Sequence, residues 1–169
     1  ATDFAAILTS VKRVNPDLVF YGGMDAQAGP MLRQMKQLGI KAKLIGGDGI
    51  CTTELMRLGG DNVGSNVLCA EGGMALSKIP GGPAFEKRFK AQFKADIQVY
   101  APFVYDAVMT MGMAMKNAKS ADPKKYLPKL KEIRHEGVIG TIAFDEVGDV
   151  LNAAVTLNSY GPQGKFPVK

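Results

Sequence analysis

The chain has 169 residues, of which 46% are apolar and 22% charged, an ordinary composition for a globular protein with a buried core. The formal net charge is +5, but the basic residues recur among apolar ones at helical spacing and no aromatic residues interleave with them, so we expect no nucleic-acid partner. No apolar run approaches the ~18 residues of a membrane-spanning helix.

The first half of the chain alternates predicted helices and strands. ATDFAAILTSVKRVN predicts an amphipathic helix capped by Asp3, not a signal peptide, which suggests a cytosolic chain or a processed or truncated one. LVFYGG predicts a strand covered on both faces, the next helix ends at Gly39, and KLIGGDG predicts a second strand. CTTELMRLGG predicts a short helix capped by Thr52 or Thr53, and SNVLCAEGG a third strand. This order indicates a parallel sheet with crossover helices.

The pattern changes at LSKIPGGP, a connection rich in Pro and Gly that is the best candidate for a domain crossing. Phe85, Phe89 and Phe93 then recur every four residues and predict an amphipathic helix. The stretch YAPFVYDAVMTMGMAMKNAK is apolar on nearly all sides, so it predicts a central, well-covered helix. Its methionines are interpreted as core residues in preference to a cofactor site.

The C-terminal part begins with one more helix. Asp122 and Pro123 form a strong start signal in SADPKKYLPKLKEI, and Pro128 should kink or split this helix. IGTIAFD and VLNAAVTLNSY flank a turn at EVGD and predict a β-hairpin. The tail GPQGKFPVK is rich in turn residues and is expected to be peripheral.

Few residues suggest catalysis. The only histidine, His135, lies at the predicted end of a helix, where its partial positive charge suits the helix dipole, and it is interpreted as structural. No nucleophile–base pair, metal-ligand spacing or phosphate loop is recognisable, so we expect no enzyme, cofactor or metal. Cys51 and Cys69 do not identify a compartment by themselves and leave two buried thiols as an open alternative.

Asp48 is the acidic residue whose position is typical of ligand binding. It follows the second predicted strand among Gly46, Gly47 and Gly49, and a Gly-Gly pair follows the first strand. Ligand crevices in parallel sheets lie beyond the carboxyl ends of the strands, and glycines let the backbone approach a ligand closely. A fixed anion there suits a small cation such as an ammonium group. The alternative is that Asp48 only caps the next helix or shapes a turn.

Several segments together resemble a known family. Three of them are similar to the second half of the periplasmic branched-chain amino-acid-binding proteins, the solute receptors of ABC importers for leucine, isoleucine and valine. These segments are DFAAILTSVKRVNPDLVFYGG, GPMLRQMKQLGIKAKLIGGDGI and VYDAVMTMGMAM. VIGTIAFDEVGDV matches the family's closing pattern at Phe144, Asp145, Gly148 and Asp149. The resemblance implies a type I periplasmic-binding-protein fold, an α/β fold in which two lobes with Rossmann-like parallel sheets flanked by helices are joined by three crossings.

The resemblance covers nearly the whole chain but only about half of the usual family length, so it implies an incomplete two-lobe fragment. Residues 1–76 would belong to the second lobe, 77–83 to a hinge crossing, 84–143 to the first lobe, and 144–169 to the return crossing and the C-terminal strands. Two incomplete lobes should expose apolar surface, so we expect the fragment to self-associate.

The resemblance also implies site residues. The family places an acidic residue, usually glutamate, at the position of Asp48, where it receives the α-ammonium of the ligand. An aromatic residue commonly follows the first Gly-Gly, and Met24 departs from that pattern, which leaves the side-chain preference open. Tyr100 matches an aromatic wall of the pocket, unless it is a core residue at a helix start. We take Gly23, Met24, Asp48, Gly49 and Tyr100 as the ligand-binding candidates.

The implied function is that of a periplasmic ligand-binding component that delivers a branched-chain or related amino acid to a membrane permease by lobe closure, without catalysis. An oxidising periplasm implies a disulfide between Cys51 and Cys69. The family's donors for the ligand's α-carboxylate lie in the half not present here, so this chain alone should bind a free amino acid weakly. The alternatives are a cytosolic amide or amino-acid sensor domain that controls gene expression, a Rossmann-like enzyme, and a structural fragment without a ligand.

Overall fold

The computed structural model of the protein describes residues 3–168 and divides into two compact units. The first unit contains the residues up to Gly72 and those from Val155 onwards, and the second contains Gly73–Ala154. These boundaries lie before the predicted crossing at 77–83 and after the predicted return that begins at 144. The assignment of these segments to two lobes stays a prediction.

The secondary structure alternates in the first unit and is mostly helical in the second. In chain order the elements are α1 (Ala5–Val14), β1 (Leu18–Tyr21), α2 (Asp25–Gln37), β2 (Lys43–Gly46), α3 (Thr53–Gly59), β3 (Val67–Gly72), α4 (Gly82–Phe93), α5 (Ala101–Ala118), α6 (Pro123–Lys131), β4 (His135–Glu136), β5 (Thr141–Ile142), β6 (Val155–Gly161) and β7 (Gly164–Pro167).

A mixed five-stranded sheet forms the centre of the first unit, in the order β1-β2-β3-β6-β7. β1, β2 and β3 are parallel, as predicted, and the register aligns Tyr21 with Gly46 at the carboxyl ends of β1 and β2. β6 runs antiparallel to β3, and β7 runs antiparallel to β6. The parallel half of the sheet therefore carries the two loops on which the site prediction depends.

The C-terminal hairpin differs from the predicted one. Phe144 and Val150 form only an isolated bridge around the EVGD turn, and the long strand begins later, at Val155. The tail that was expected to be peripheral supplies β7, which pairs with β6 along Asn158–Gly161. The prediction was wrong because β6 and β7 find their partners in the sheet, whereas the sequence shows only local turn signals.

The core of the first unit lies on one face of this sheet, where the buried residues of α1, α2 and α3 meet Leu44, Val67 and Cys69. The predicted covering of both faces is wrong for β1, which is an edge strand. Its residues alternate between half-buried and exposed, and the Phe20 side chain is 75% exposed. The opposite face of the sheet therefore presents apolar side chains to solvent.

Aromatic packing joins two helices of the second unit. The predicted stripe of Phe85, Phe89 and Phe93 lies along α4, with ring centroids 6.2 and 4.8 Å apart at the two steps. Phe85 also packs against Tyr105 of α5, with a centroid distance of 5.2 Å.

The prediction that α5 is covered on all sides is wrong. One side is buried, with Asp106, Thr110 and Ala114 facing inwards. The other side is open, and Val108 is 63% exposed. An apolar composition says which side chains avoid water, but it does not show which neighbours cover them. Within residues 3–168, none of the helices combines the length and the apolarity that crossing a bilayer requires.

The predicted start of α6 is confirmed, since the Asp122 side chain accepts a hydrogen bond from the Lys124 backbone N–H at 3.0 Å and Pro123 is the first helical residue. The helix continues through Pro128, so it is not split there, and the predicted kink stays a prediction. His135 is not at a helix end as predicted. It lies in β4, paired with Ile142 of β5.

Candidate functional site

Two short loops meet at the carboxyl ends of β1 and β2. The first runs from Gly22 to Met24 and leads into α2, and the second contains a single 3₁₀ turn at Asp48–Ile50 and leads towards α3. Because β1 and β2 are adjacent and parallel, both loops lie at the same edge of the sheet. The sequence predicts this arrangement from the two Gly-Gly pairs.

Close backbone contacts require glycine at two positions, Gly46 and Gly49. A Cβ atom on Gly49 would lie 2.6 Å from the Gly23 carbonyl oxygen and 2.7 Å from the Met24 Sδ. A Cβ on Gly46 would lie 2.9 Å from the Tyr21 carbonyl oxygen. Only a residue without a side chain lets the second loop pack directly on the first. Gly46 and Gly49 thus allow the backbones on either side of Asp48 to lie against the first strand and the first loop.

Asp48 itself is exposed at this edge. Its Oδ1 accepts a hydrogen bond from the Gly49 backbone N–H at 3.0 Å, and its carbonyl oxygen accepts one from the Cys51 N–H at 2.9 Å. The cap of α3 is Thr52, whose Oγ1 accepts from the Leu55 N–H at 3.1 Å, so Asp48 does not cap that helix. Asp48 does shape its own turn, while its carboxylate stays at the surface.

No basic side chain in the described part of the chain forms an ion pair with Asp48. Since a carboxylate has four lone-pair sites, one bond from Gly49 leaves most of its accepting capacity unused. The same residues contain no group of three His, Cys, Asp or Glu side chains that could hold a metal ion. The arrangement can therefore receive a small cationic donor from solution.

The first loop carries one apolar side chain, Met24, and follows a phenolic one, Tyr21. Met24 is exposed, and its carbonyl oxygen accepts from the Gln27 and Ala28 N–H groups at the start of α2. The Tyr21 hydroxyl lies against Gly23, and partial burial raises the pKa of Tyr21 while a hydrogen bond from the Met24 backbone opposes the shift. Tyr21 was missed in the sequence, although an aromatic residue directly before a Gly-Gly pair is a usable signal.

The predicted candidates fall into two groups. Gly23, Met24, Asp48 and Gly49 come together in the first unit. Tyr100 belongs to the second unit, where it immediately precedes α5 and is exposed, and its role at a ligand site stays a prediction.

A disulfide joins Cys51 to Cys69, the pairing that the family resemblance implied, with the two Cα atoms 5.4 Å apart. Both residues are fully buried. The bond joins Cys51, which lies three residues after Asp48, to the middle of β3. The Thr52 Oγ1 adds a link to the start of α2 by donating to the Asp25 Oδ2 at 2.7 Å.

A family model described as periplasmic binding protein matches residues 1–160. The chain belongs to the periplasmic binding protein family. This membership confirms the resemblance, and the family's members are named for binding rather than for catalysis.

Two relatives illustrate the similarity. The chain is 30% identical over 155 residues to the leucine-, isoleucine-, valine-, threonine- and alanine-binding protein of Pseudomonas aeruginosa, covering 92% of this chain and 41% of that protein. A crystal structure of a leucine-binding protein, LivK, from Thermotoga maritima matches all of this chain and 48% of its own, with a TM-score of 0.85 and 26% identity. The chain thus spans less than half the length of these periplasmic binding proteins.

The fold is shared more widely in the family. The branched-chain amino acid transporter substrate-binding protein LivJ from Streptococcus pneumoniae, crystallised with isoleucine, has a TM-score of 0.78 and 24% identity, and this chain covers 49% of it. These similarities confirm the predicted fold class, with a mixed sheet flanked by helices.

Proposed function

We propose that this periplasmic-binding-protein chain holds the ammonium end of a branched-chain or related amino acid in a receptor that serves an ABC importer. The observation that carries the proposal is the exposed carboxylate of Asp48 in the second of two loops that meet at the edge of the sheet, where it forms no ion pair with the described residues. The chemistry is binding without catalysis.

The charge of Asp48 suits an α-ammonium group. An ammonium has three N–H donors and no acceptor, and hydrogen bonds between oppositely charged groups are about twice as strong as neutral ones. The Gly49 N–H fixes one carboxylate oxygen, so the carboxylate is already oriented before a ligand arrives. Pre-orientation reduces the entropy that binding loses.

Met24 suits the side-chain end of such a ligand. It is exposed next to Gly49 and carries a flexible thioether, which adapts its shape to branched aliphatic groups. Compared with an aromatic ring at this position, the Met24 side chain is narrower and more flexible.

The proposal includes a periplasmic location and delivery of the ligand to a permease. Family membership and the Cys51–Cys69 disulfide support a periplasmic location, because disulfides persist in oxidising compartments. The cytosolic-sensor alternative expects reduced cysteines. Delivery to a permease and capture by lobe closure are what the named relatives suggest for the complete receptor.

The ammonium contact is tested with ligands that separate the two ends of the amino acid. We expect leucine methyl ester, which keeps the ammonium and lacks the carboxylate, to shift the amide resonances of Met24 and Gly49 in an NMR titration. N-acetylleucine, which lacks the ammonium, should leave them unchanged. Asp48→Asn should abolish the response, whereas Asp61→Asn, at an exposed aspartate between α3 and β3, should keep it. Equal responses to both ligands, or an unchanged response in Asp48→Asn, would refute the proposal.

We also propose that the isolated chain associates with a second copy of itself. The open side of α5 and the uncovered face of the sheet in the first unit both present large apolar side chains, more than the scattered exposure usual in monomers. Light scattering should give a mass above 18.0 kDa that rises with concentration. Val104→Lys with Val108→Lys should lower this mass. A concentration-independent monomer mass for the unmodified chain would contradict the proposal.

A further inference from the structure

The backbone after Asp48 is held by two side chains from the far end of the sequence. The Tyr160 hydroxyl donates to the Ile50 carbonyl oxygen and lies 3.3 Å from the Thr52 carbonyl oxygen. The Lys165 Nζ donates to the Cys51 carbonyl oxygen at 3.0 Å. Three consecutive carbonyl groups of the loop thus face donors from the β6–β7 hairpin.

Tyr160 and Lys165 belong to a largely buried polar network. Tyr160 is only 1% exposed, and burial raises the pKa of its hydroxyl, which keeps the donating proton in place. The side chains of Lys165 and Glu71 are 20% and 15% exposed and form an ion pair. The buried Asn158 donates from Nδ2 to the Glu71 Oε1 at 3.1 Å and so orients the acid. Each charged group has a partner.

Such a network is a costly way to gain stability alone. Well-packed apolar residues of similar volume often serve as well as a buried ion pair or better. A directional hydrogen bond, in contrast, holds a backbone segment in one conformation. The segment held here, Ile50–Thr52, directly follows Asp48, and the Cys51 N–H closes the turn on the Asp48 carbonyl oxygen.

We infer that Tyr160 and Lys165 are positioning residues for Asp48, the residue whose carboxylate is proposed to bind the ammonium group of the ligand. By holding the Ile50 and Cys51 carbonyl groups they keep the 3₁₀ turn closed, so the carboxylate keeps its orientation towards the ligand. The inference rests on the proposed function for its effect on affinity, while the order of the loop can be measured without a ligand. Neither residue touches the ligand in this scheme.

Tyr160→Phe tests the inference because it removes one oxygen atom and keeps the ring in the core. Ser159→Ala is the matched control. Ser159 precedes Tyr160 in β6, and its Oγ donates a buried hydrogen bond to the carbonyl oxygen of Val67 in β3, away from the loop. Both variants should lose some stability. Only Tyr160→Phe should weaken the binding of leucine methyl ester, about three- to tenfold, and speed hydrogen exchange at the amides of Gly49 and Cys51.

A second variant keeps the test valid if the first fails to fold. Lys165→Met combined with Glu71→Gln removes both charges together, and it should show the same weaker binding and faster exchange. If the unmodified chain does not bind leucine methyl ester, the proposed function fails, and the positioning role is then judged by hydrogen exchange alone. Exchange and affinity in Tyr160→Phe equal to those in Ser159→Ala would overturn the inference.

Discussion

Gly49 provides the sharpest test of how the two loops of the site pack. In Gly49→Ala the new methyl group would lie 2.6 Å from the Gly23 carbonyl oxygen and 2.7 Å from the Met24 Sδ. The sulfur belongs to a flexible side chain and can move, but the carbonyl belongs to a loop fixed between β1 and α2. Overpacking of this kind costs about 1–3 kcal/mol. We therefore expect Gly49→Ala to lower the free energy of unfolding by that amount.

Gly47→Ala is the matched control for this substitution. A Cβ on Gly47 would meet no atom within 4 Å, and its φ of −81° suits any L-residue. Alanine at a compatible position stabilises a protein by about 0.4–1 kcal/mol, because the unfolded chain loses conformational freedom. The two substitutions are two residues apart and should have opposite signs.

The assay is equilibrium unfolding in urea, followed by far-UV circular dichroism, with the slope of each transition compared between the variants. Gly49→Ala should move the midpoint to lower urea and Gly47→Ala should move it to higher urea, with similar slopes. The ligand titration should show weaker binding for Gly49→Ala, since the displaced loop carries Asp48. If both variants unfold at the same midpoint as the parent chain, the two loops are not in the close contact described.

Three further predictions concern single bonds and contacts within each unit. Reduction of the Cys51–Cys69 bond, whose residues are 18 apart, should lower the free energy of unfolding by about 3 kcal/mol in the chain-entropy model, and an unchanged urea midpoint in dithiothreitol would contradict this. Asp106→Ala should cost at least about 2 kcal/mol, because the Asp106 carboxylate accepts from the Val138 and Ile139 N–H groups at 2.9 and 2.8 Å; Asp106→Asn, which keeps one acceptor oxygen, should cost less in the same assay. Thr52→Val should cost about 1 kcal/mol through loss of the α3 cap, and a melting temperature equal to that of the parent chain would be the contrary result.

The parallel half of the sheet could be predicted from the sequence because each step had a local signal. LVFYGG, KLIGGDG and SNVLCAEGG are short apolar runs that end in glycine, and helical patterns separate them. β7 had no such signal. Its strand GKFP contains both Gly and Pro, and it becomes a strand through its pairing with β6. Pairing partners distant in sequence are invisible to local patterns.

The site was predictable to the same extent. Asp48 and its glycines lie in one continuous stretch, so the position of a strand end was enough to find them. Tyr160 and Lys165 act on this stretch from more than a hundred residues away, through hydrogen bonds to carbonyl groups. A tyrosine in a strand carries no mark of the backbone atom that it contacts. The position of Asp48 could therefore be predicted from the sequence, whereas the side chains of Tyr160 and Lys165 that hold its loop could not.

Asp48 is one methylene shorter than the glutamate that the family resemblance implies at this position, and the local geometry is consistent with the shorter acid. The Asp48 Oδ1 reaches the N–H of the very next residue, a short-range bond that the longer glutamate side chain would have to bend back to make. The aspartate is thus held close to its own backbone, and an ammonium group must approach the turn itself to meet it. Gly49 lets this turn lie against the first loop, since a side chain there would occupy space against Gly23 and Met24. Under the proposed function, the hydrogen bond that holds the short acid and the glycine that lets its turn pack both fix the carboxylate, so binding of an ammonium group depends on the position of this turn.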